Sequence, residues 1–199
     1  MNLHTPLDDI LNGVATLRTF RALVLLEDRE FTGREAARVA RLSPSQARAV
    51  LLELERQGMA RRRVVGPVHL WRVERQHVLY RALKEMLGVE RGLMDAIRSD
   101  IAKALEGTPA RRATIFGSVA RGKERSNSDL DLFVEVPTEW DKGTVREALH
   151  VLFDRVAVRY GTTLSPLVYS AEEVRSTKSP SFLDRVRSEG IVALEARER

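Results

Sequence analysis

The chain has 199 residues, 43% of them hydrophobic, and a formal charge of +5. That length and apolar content supply one core or two small ones, which excludes wholesale disorder. There is no cysteine, so disulfides, thiolate catalysis and cysteine-held metals are excluded as well.

No run of about eighteen apolar residues occurs, nor a basic leader ahead of an apolar stretch, so the expected setting is the cytoplasm without membrane contact. The charge is unevenly placed. Residues 1–88 hold fifteen Lys and Arg against ten Asp and Glu, whereas residues 89–199 hold eighteen of each. A surplus confined to one half suits a polyanionic partner for that half, although a solvated surface gives the same signal.

Residues 17–26 carry apolar side chains at helical spacing, namely Leu17, Phe20, Leu23 and Val24. Thr32 and Glu35 then form a T-x-x-E capping box ahead of a helix over Gly33–Ala40. Ser43 and Gln46 form a second box, with Pro44 at the first helical position, where its missing N–H costs little. This helix is expected to reach Gln57, with Gly58 as its cap. Two capped helices this close together read as a helix-turn-helix. Ala47, Leu51 and Leu54 share one face and should pack inward, leaving Ser45, Gln46, Arg48, Ala49 and Leu52 to point elsewhere. The N-terminal end of a recognition helix meets base edges. There Gln46 suits adenine and Arg48 suits guanine, each by two hydrogen bonds. Leu52 would touch a thymine methyl or a partner subunit.

Val64 and Val65, the turn Gly66-Pro67, then Val68, Leu70 and Val73 read as a two-stranded ribbon. Arg61, Arg62, Arg63, His69 and Arg72 decorate it, which suits a wing lying along phosphates; the alternative is a solvated basic hairpin. From about residue 8 to residue 80 the chain resembles the winged helix-turn-helix of prokaryotic transcriptional regulators, on the strings "REFTGREAARVARLSPSQARAVLLELERQGMARRR" and "GPVHLWRV". The resemblance implies binding of double-stranded DNA at promoters, usually as a homodimer.

Residues 77–105 carry Leu79, Leu83, Met86, Leu87, Leu93, Ile97, Ile101 and Leu105 at helical spacing. Gly88 and Gly92 weaken the centre, so two helices or one kinked helix are expected. Such a stripe packs on either neighbour or on a twin chain. Gly107, Thr108 and Pro109 end it.

Residues 113–116 read as a short strand that ends in Gly117-Ser118. "DLDLFVEV" alternates, placing Leu130, Leu132 and Val134 on one face and Asp129, Asp131 and Phe133 on the other. Two like charges so close repel unless a cation joins them, and paired carboxylates with phosphate suit magnesium; for D-x-D alone, a strand entrance capped by carboxylates is the plainer reading. Gly117 lets backbone approach a phosphate, and Ser118 offers a hydroxyl. Arg121, Lys123 and Arg125 could meet further phosphate charge; a solvated basic loop is the plainer reading of these three.

Gly117-Ser118, ten residues, then Asp129-x-Asp131 resembles the signature of the DNA polymerase beta-like nucleotidyltransferase superfamily. The fuller string "FGSVARGKERSNSDLDLFV" is similar to its minimal nucleotidyltransferase branch, over about residues 108–195. The resemblance implies an α/β (α+β) domain with a small mixed sheet, a nucleoside triphosphate, ATP as the expected one, on the Gly-Ser turn, and Mg2+ on Asp129 and Asp131 as catalytic and metal residues. Family members transfer a nucleoside monophosphate to a hydroxyl and release pyrophosphate. Some modify antibiotics, and others modify a partner protein in toxin–antitoxin pairs.

One departure matters. Active members carry a third carboxylate on the next core strand, whereas "TTLSPLVYS" has none, and Thr163 or Ser165 stands in the expected place. Before it, residues 141–161 read as a helix with Val145, Leu149, Leu152 and Val156 on one face. After it, Glu172 and Glu173 could substitute for the missing acid, but the plainer reading is that they open a helix through "AEEVRSTKSPSFLDRVRSEG", and residues 191–194 add a last strand. The expected organisation is a winged helix-turn-helix over residues 1–80, a helical spacer over 81–107 and a nucleotidyltransferase-like domain over 108–199. Three functions compete: a DNA-binding regulator that senses nucleotide, a working nucleotidyltransferase, and a retired transferase domain that binds a partner protein.

Overall fold

The computed structural model describes residues 3–5, 7–8, 13–123, 128–177 and 180–196. The architecture is mixed α/β, and the chain divides into two compact units, Leu7–Arg91 and Gly92–Arg199 with Met1–Pro6. Among the described residues no helix is long and apolar enough to cross a membrane.

In the first unit, α1 (Val14–Leu25), α2 (Gly33–Ala40) and α3 (Pro44–Arg56) precede the ribbon β2 (Ala60–Val65) and β3 (Val68–Val73). α2 and α3 have the bounds that their caps dictate, to within one residue. Ser43 and Gln46 make the full reciprocal box at the start of α3. The box at α2 is only half made. The Thr32 hydroxyl accepts from the Glu35 N–H, but the Glu35 carboxylate turns away to Arg29. A charged partner outcompetes the neutral N–H that the sequence pattern assigned to Glu35.

Ala47, Leu51 and Leu54 are buried, and Ser45, Gln46, Arg48, Ala49 and Leu52 are exposed. The ribbon pairs antiparallel from Ala60↔Val73 to Val65↔Val68, with Gly66 at φ +54° in its turn. A short strand, β1 (Phe31–Thr32), adds to it through Phe31↔Trp71, giving sheet order β1-β3-β2. Nothing in the local sequence marks β1, because its partner lies some forty residues away. The core gathers Phe20, Leu23, Phe31, Leu51, Trp71 and Tyr80. α4 (Tyr80–Arg91) adds Leu87 to this core, while Leu79, placed on the apolar stripe by spacing, is exposed ahead of the helix. Arg21 is clamped between Asp8 and Glu90 at 2.7 Å each, so charges that burial would otherwise penalise are mutually satisfied.

The second unit is built on a four-stranded mixed sheet of order β6-β5-β4-β7. Its strands are β4 (Arg112–Phe116), β5 (Leu130–Val136), β6 (Leu164–Ser170) and β7 (Ile191–Glu195). β5 and β6 run parallel, and β4 runs antiparallel to both β5 and β7. A parallel neighbour needs a crossover. Here α7 (Asp141–Tyr160) supplies it, ending at Gly161 in the left-handed region.

Alternation along β5 decides which layer each residue joins. Leu130, Leu132 and Val134 enter one core with Ile97, Ile101 and Leu105 of α5 (Leu93–Leu105) and Val145, Leu149, Leu152 and Val156 of α7. Phe133 enters the opposite core with Leu183 and Val186 of α9 (Pro180–Glu189). The single helix expected after β6 is two: α8 (Ala171–Ser176) and α9. Pro180 stands at the first position of the second helix, where proline suits a helix opening.

Candidate functional site

β4 and β5 place the Gly-Ser turn against the Asp-x-Asp pair. Phe116 stands opposite Asp131 in antiparallel register, so Gly117, one residue on, begins where Asp131 ends its pairing. Gly117 has φ +76° and opens the four-residue helix α6 (Gly117–Ala120), which carries Ser118 half-buried. A side chain at 117 would have no room, since an ideal Cβ there lies 2.1 Å from Asp131 Oδ2 and 3.1 Å from its Cγ. The chain folds back after α6, with the Lys123 N–H donating to the Ser118 carbonyl at 3.0 Å. Arg125 lies outside the described residues.

Asp131 is half-buried, and Asp129 is exposed just ahead of β5. Burial raises the Asp131 carboxyl above its ordinary value, the charge of Asp129 raises it further, and Arg121 opposes both. Two carboxylates beside a glycine turn are a donor set that fits Mg2+, which takes one or two carboxylates and completes its shell with phosphate and water.

Ser165 is the register partner of Asp131 in parallel β6, so it holds the place of the third carboxylate; Thr163 lies outside the strand. Among the described residues no group of three or more His, Cys, Asp or Glu could hold a metal ion. Glu173 does not fill the gap. It completes a capping box with Ser170 and pairs with Lys142, itself 5% exposed and also bonded to Glu139 at 2.7 Å.

Sequence reading missed what lies on the other side of Gly117. α9 comes so close to β4 that a Cβ on Gly190 would sit 2.4 Å from Thr114 Cγ2. That approach brings Phe182, Arg185 and Glu189 to Phe116, Gly117 and Arg121 around a cavity of about 160 Å³. Only the proximity of a C-terminal helix could reveal this, and no local pattern encodes it.

In the first unit, Ser45, Gln46 and Arg48 form the exposed start of α3, and Arg48 has no ion-pair partner among the described residues. Gln46 Oε1 already accepts from the Ser43 N–H at 3.2 Å, so half of the amide needed to read adenine is committed to the cap. The basic ribbon is less positive than its sequence suggests. Arg61 pairs with Glu74, Arg62 with Glu55 at 3.2 Å, and Arg63 with Glu30 through Nε at 2.9 Å. Arg62 also lies 5.7 Å above the Trp71 ring. His69, half-buried, faces Val64 across the ribbon.

The nucleotidyltransferase-domain family matches residues 95–176. The Methanocaldococcus jannaschii protein named "Putative protein adenylyltransferase MJ0141" is 30% identical over 83 residues, which cover 40% of this chain and 75% of that protein. The chain therefore belongs to the nucleotidyltransferase family. Among solved structures, a toxin–antitoxin with AMP-PNP is similar at 18% identity and a TM-score of 0.35, over 50% of this chain and 74% of that one. TrmBL2, an archaeal chromatin protein with a novel mode of DNA binding, is similar at 14% identity and a TM-score of 0.28, over 85% of this chain and 70% of its own. Both likenesses are partial, and neither protein's ligands are carried over.

Proposed function

We propose that the protein is a DNA-binding transcriptional regulator whose nucleotidyltransferase domain takes up a nucleoside triphosphate with Mg2+ at Gly117, Ser118, Asp129 and Asp131. The observation that carries the reading is the approach of Asp131 to Gly117, with 2.1 Å between Oδ2 and the place of a Cβ. The turn that would cradle phosphate and the carboxylate that would hold its cation thus form one unit. Mg2+, when bound, supplies the positive charge that the two carboxylates share with the phosphates. ATP is the nucleotide we assign, in keeping with the adenylyl transfer in the relative's name.

The DNA part rests on the capped α3 with exposed Ser45, Gln46 and Arg48, and on Arg61, Arg62, Arg63 and His69 of the ribbon. Leu52, 36% exposed on α3, suits contact with DNA or a second copy, and a homodimer in the cytoplasm completes the reading. Calorimetry with Mg–ATP on the wild type and Asp129→Ala tests the pocket. Anisotropy of labelled operator DNA with and without Mg–ATP tests the coupling. Equal DNA affinity in both conditions removes the sensor role.

A second reading, adenylyl transfer to a partner protein, is favoured by the name of the relative. There a hydroxyl oxygen would attack the α-phosphorus as pyrophosphate leaves, and a base must take the hydroxyl proton. Ser165, opposite Asp131, provides no carboxylate for that step, which is why binding is placed ahead of transfer. Transfer of label from α-labelled ATP to protein, lost in Asp131→Ala, would reverse the order.

A further inference from the structure

The cavity behind Gly117 holds two guanidinium groups and one carboxylate. Arg121 Nη1 lies 3.1 Å from Glu189 Oε2, on the last turn of α9. Arg185, one turn earlier, donates Nε–H to the Ser181 carbonyl at 3.3 Å and makes no ion pair among the described residues. Phe116 and Phe182 close the wall edge to face, with centroids 5.5 Å apart. Their rings are committed to each other, so recognition falls to the two arginines. Forked guanidinium donors in excess of carboxylate suit phosphate oxygens.

We propose that this cavity receives the outer phosphates of the triphosphate, with Arg185 as a second anchoring residue beside Arg121, and that Glu189 is a built-in stand-in anion which the phosphates displace. The inference rests on the nucleotide reading above and extends it to α9. Magnitudes allow the exchange. Arg121 and Glu189 are 40% and 42% exposed, and ion pairs so exposed are worth little. A polyphosphate brings several charges to the same arginine and also engages Arg185, so it wins.

The test uses the full chain and sodium tripolyphosphate in EDTA at fixed ionic strength, followed by calorimetry, so that the aspartate pair and its cation play no part. Glu189→Gln should tighten tripolyphosphate about threefold, the scale of one exposed ion pair. Arg185→Gln should weaken it about three- to tenfold, and Arg185→Lys, which keeps the charge, should retain most of the affinity. Both side chains are exposed, so the fold tolerates these changes. Unchanged affinity in Glu189→Gln, or in Arg185→Gln, overturns the proposal, as does a wild type that does not bind tripolyphosphate. A parallel Mg–ATP titration separates the two levels. If Mg–ATP fails to bind while the tripolyphosphate responses hold, the nucleotide reading falls and the anion cavity stands. If Mg–ATP binds with the same affinity in all variants, the reading stands and the cavity proposal falls.

Discussion

Asp131 occupies the space that a side chain at Gly117 would need, its Oδ2 lying 2.1 Å from an ideal Cβ. Two requirements meet at Gly117. Its φ of +76° is strained for any L side chain, and its neighbour is the carboxylate that the proposed site would use. Gly117→Ala should therefore cost about 1–2 kcal/mol of stability for the backbone alone. It should also push the Asp131 carboxylate aside and abolish Mg–ATP binding. Gly122 is the control. It too has a positive φ, 62°, but a Cβ there meets nothing within 4 Å. Gly122→Ala should show a similar loss in urea denaturation while calorimetry still detects nucleotide. Loss of binding in both variants alike would mean that backbone strain, not the approach to Asp131, governs the site.

The raised carboxyl of Asp131 gives a signed dependence on pH. A carboxyl that holds its proton more tightly in the folded protein contributes stability below its unfolded pKa and loses it as pH rises through the folded value. At neutral pH, without metal, charged Asp131 is then a liability, caused first by burial and next by Asp129. Asp131→Asn should raise the unfolding midpoint by about 1–2 °C at pH 7, a small effect because the group is half-exposed. The advantage should shrink as pH falls toward the ordinary carboxylate range. Adding Mg–ATP should stabilise the wild type and leave Asp131→Asn unmoved. Thermal scans at several pH values, with and without Mg–ATP, read both effects.

Much of this arrangement was legible in the sequence, for local reasons. Ser43, Pro44 and Gln46 place the start of α3 because a cap is a contact within four residues. The alternation from Leu130 to Val134 sorts β5 between two layers because a strand turns its side chains every second residue. The absence of an acid could be read because the whole of "TTLSPLVYS" holds none, whereas the choice between Thr163 and Ser165 needed the register of β6 against β5. What escaped is non-local. β1 exists only through Trp71 and Leu70, and Arg185 faces Gly117 only because Gly190 lets α9 close on β4. The ribbon arginines read as free phosphate contacts because their partners Glu30, Glu55 and Glu74 are distant in sequence or on another element. Pro180, by contrast, is a local signal, since proline suits the first position of a helix and α9 opens on it.

Ser165→Asp tests whether the missing carboxylate is what separates binding from transfer. Paired residues on neighbouring strands point to the same face, so an aspartate at 165 would join Asp131 on the side away from Leu130 and Leu132. A third oxygen ligand should tighten Mg2+-dependent ATP binding and raise adenylyl transfer at least about a hundredfold, the lower end of what one acid–base group brings. Without metal the same change adds a third like charge and should destabilise the fold. Equal transfer by wild type and Ser165→Asp would show that the step needs no acid at that position, and the transfer reading would then move ahead of the sensor.

The ribbon offers a prediction opposite in sign to ordinary alanine scanning. Arg61, Arg62 and Arg63 each hold an acid in the free protein, and their side chains are 76%, 31% and 60% exposed. Pairs of this kind are worth at most about 1 kcal/mol each, so in the proposed complex DNA phosphates would compete for the arginines against a modest but real opponent. Replacing Glu30 and Glu55 by Gln removes two opponents without touching a cation. DNA affinity should rise about three- to tenfold, and the slope of log K against log salt should steepen by about one for each arginine released. Arg48→Ala should do the reverse, weakening preferred sequences more than random ones by about 1–3 kcal/mol, because the contact proposed for it is to base edges. Titrations of labelled duplexes at several salt concentrations distinguish the two. A glutamine double variant with unchanged slope would place the ribbon off the DNA.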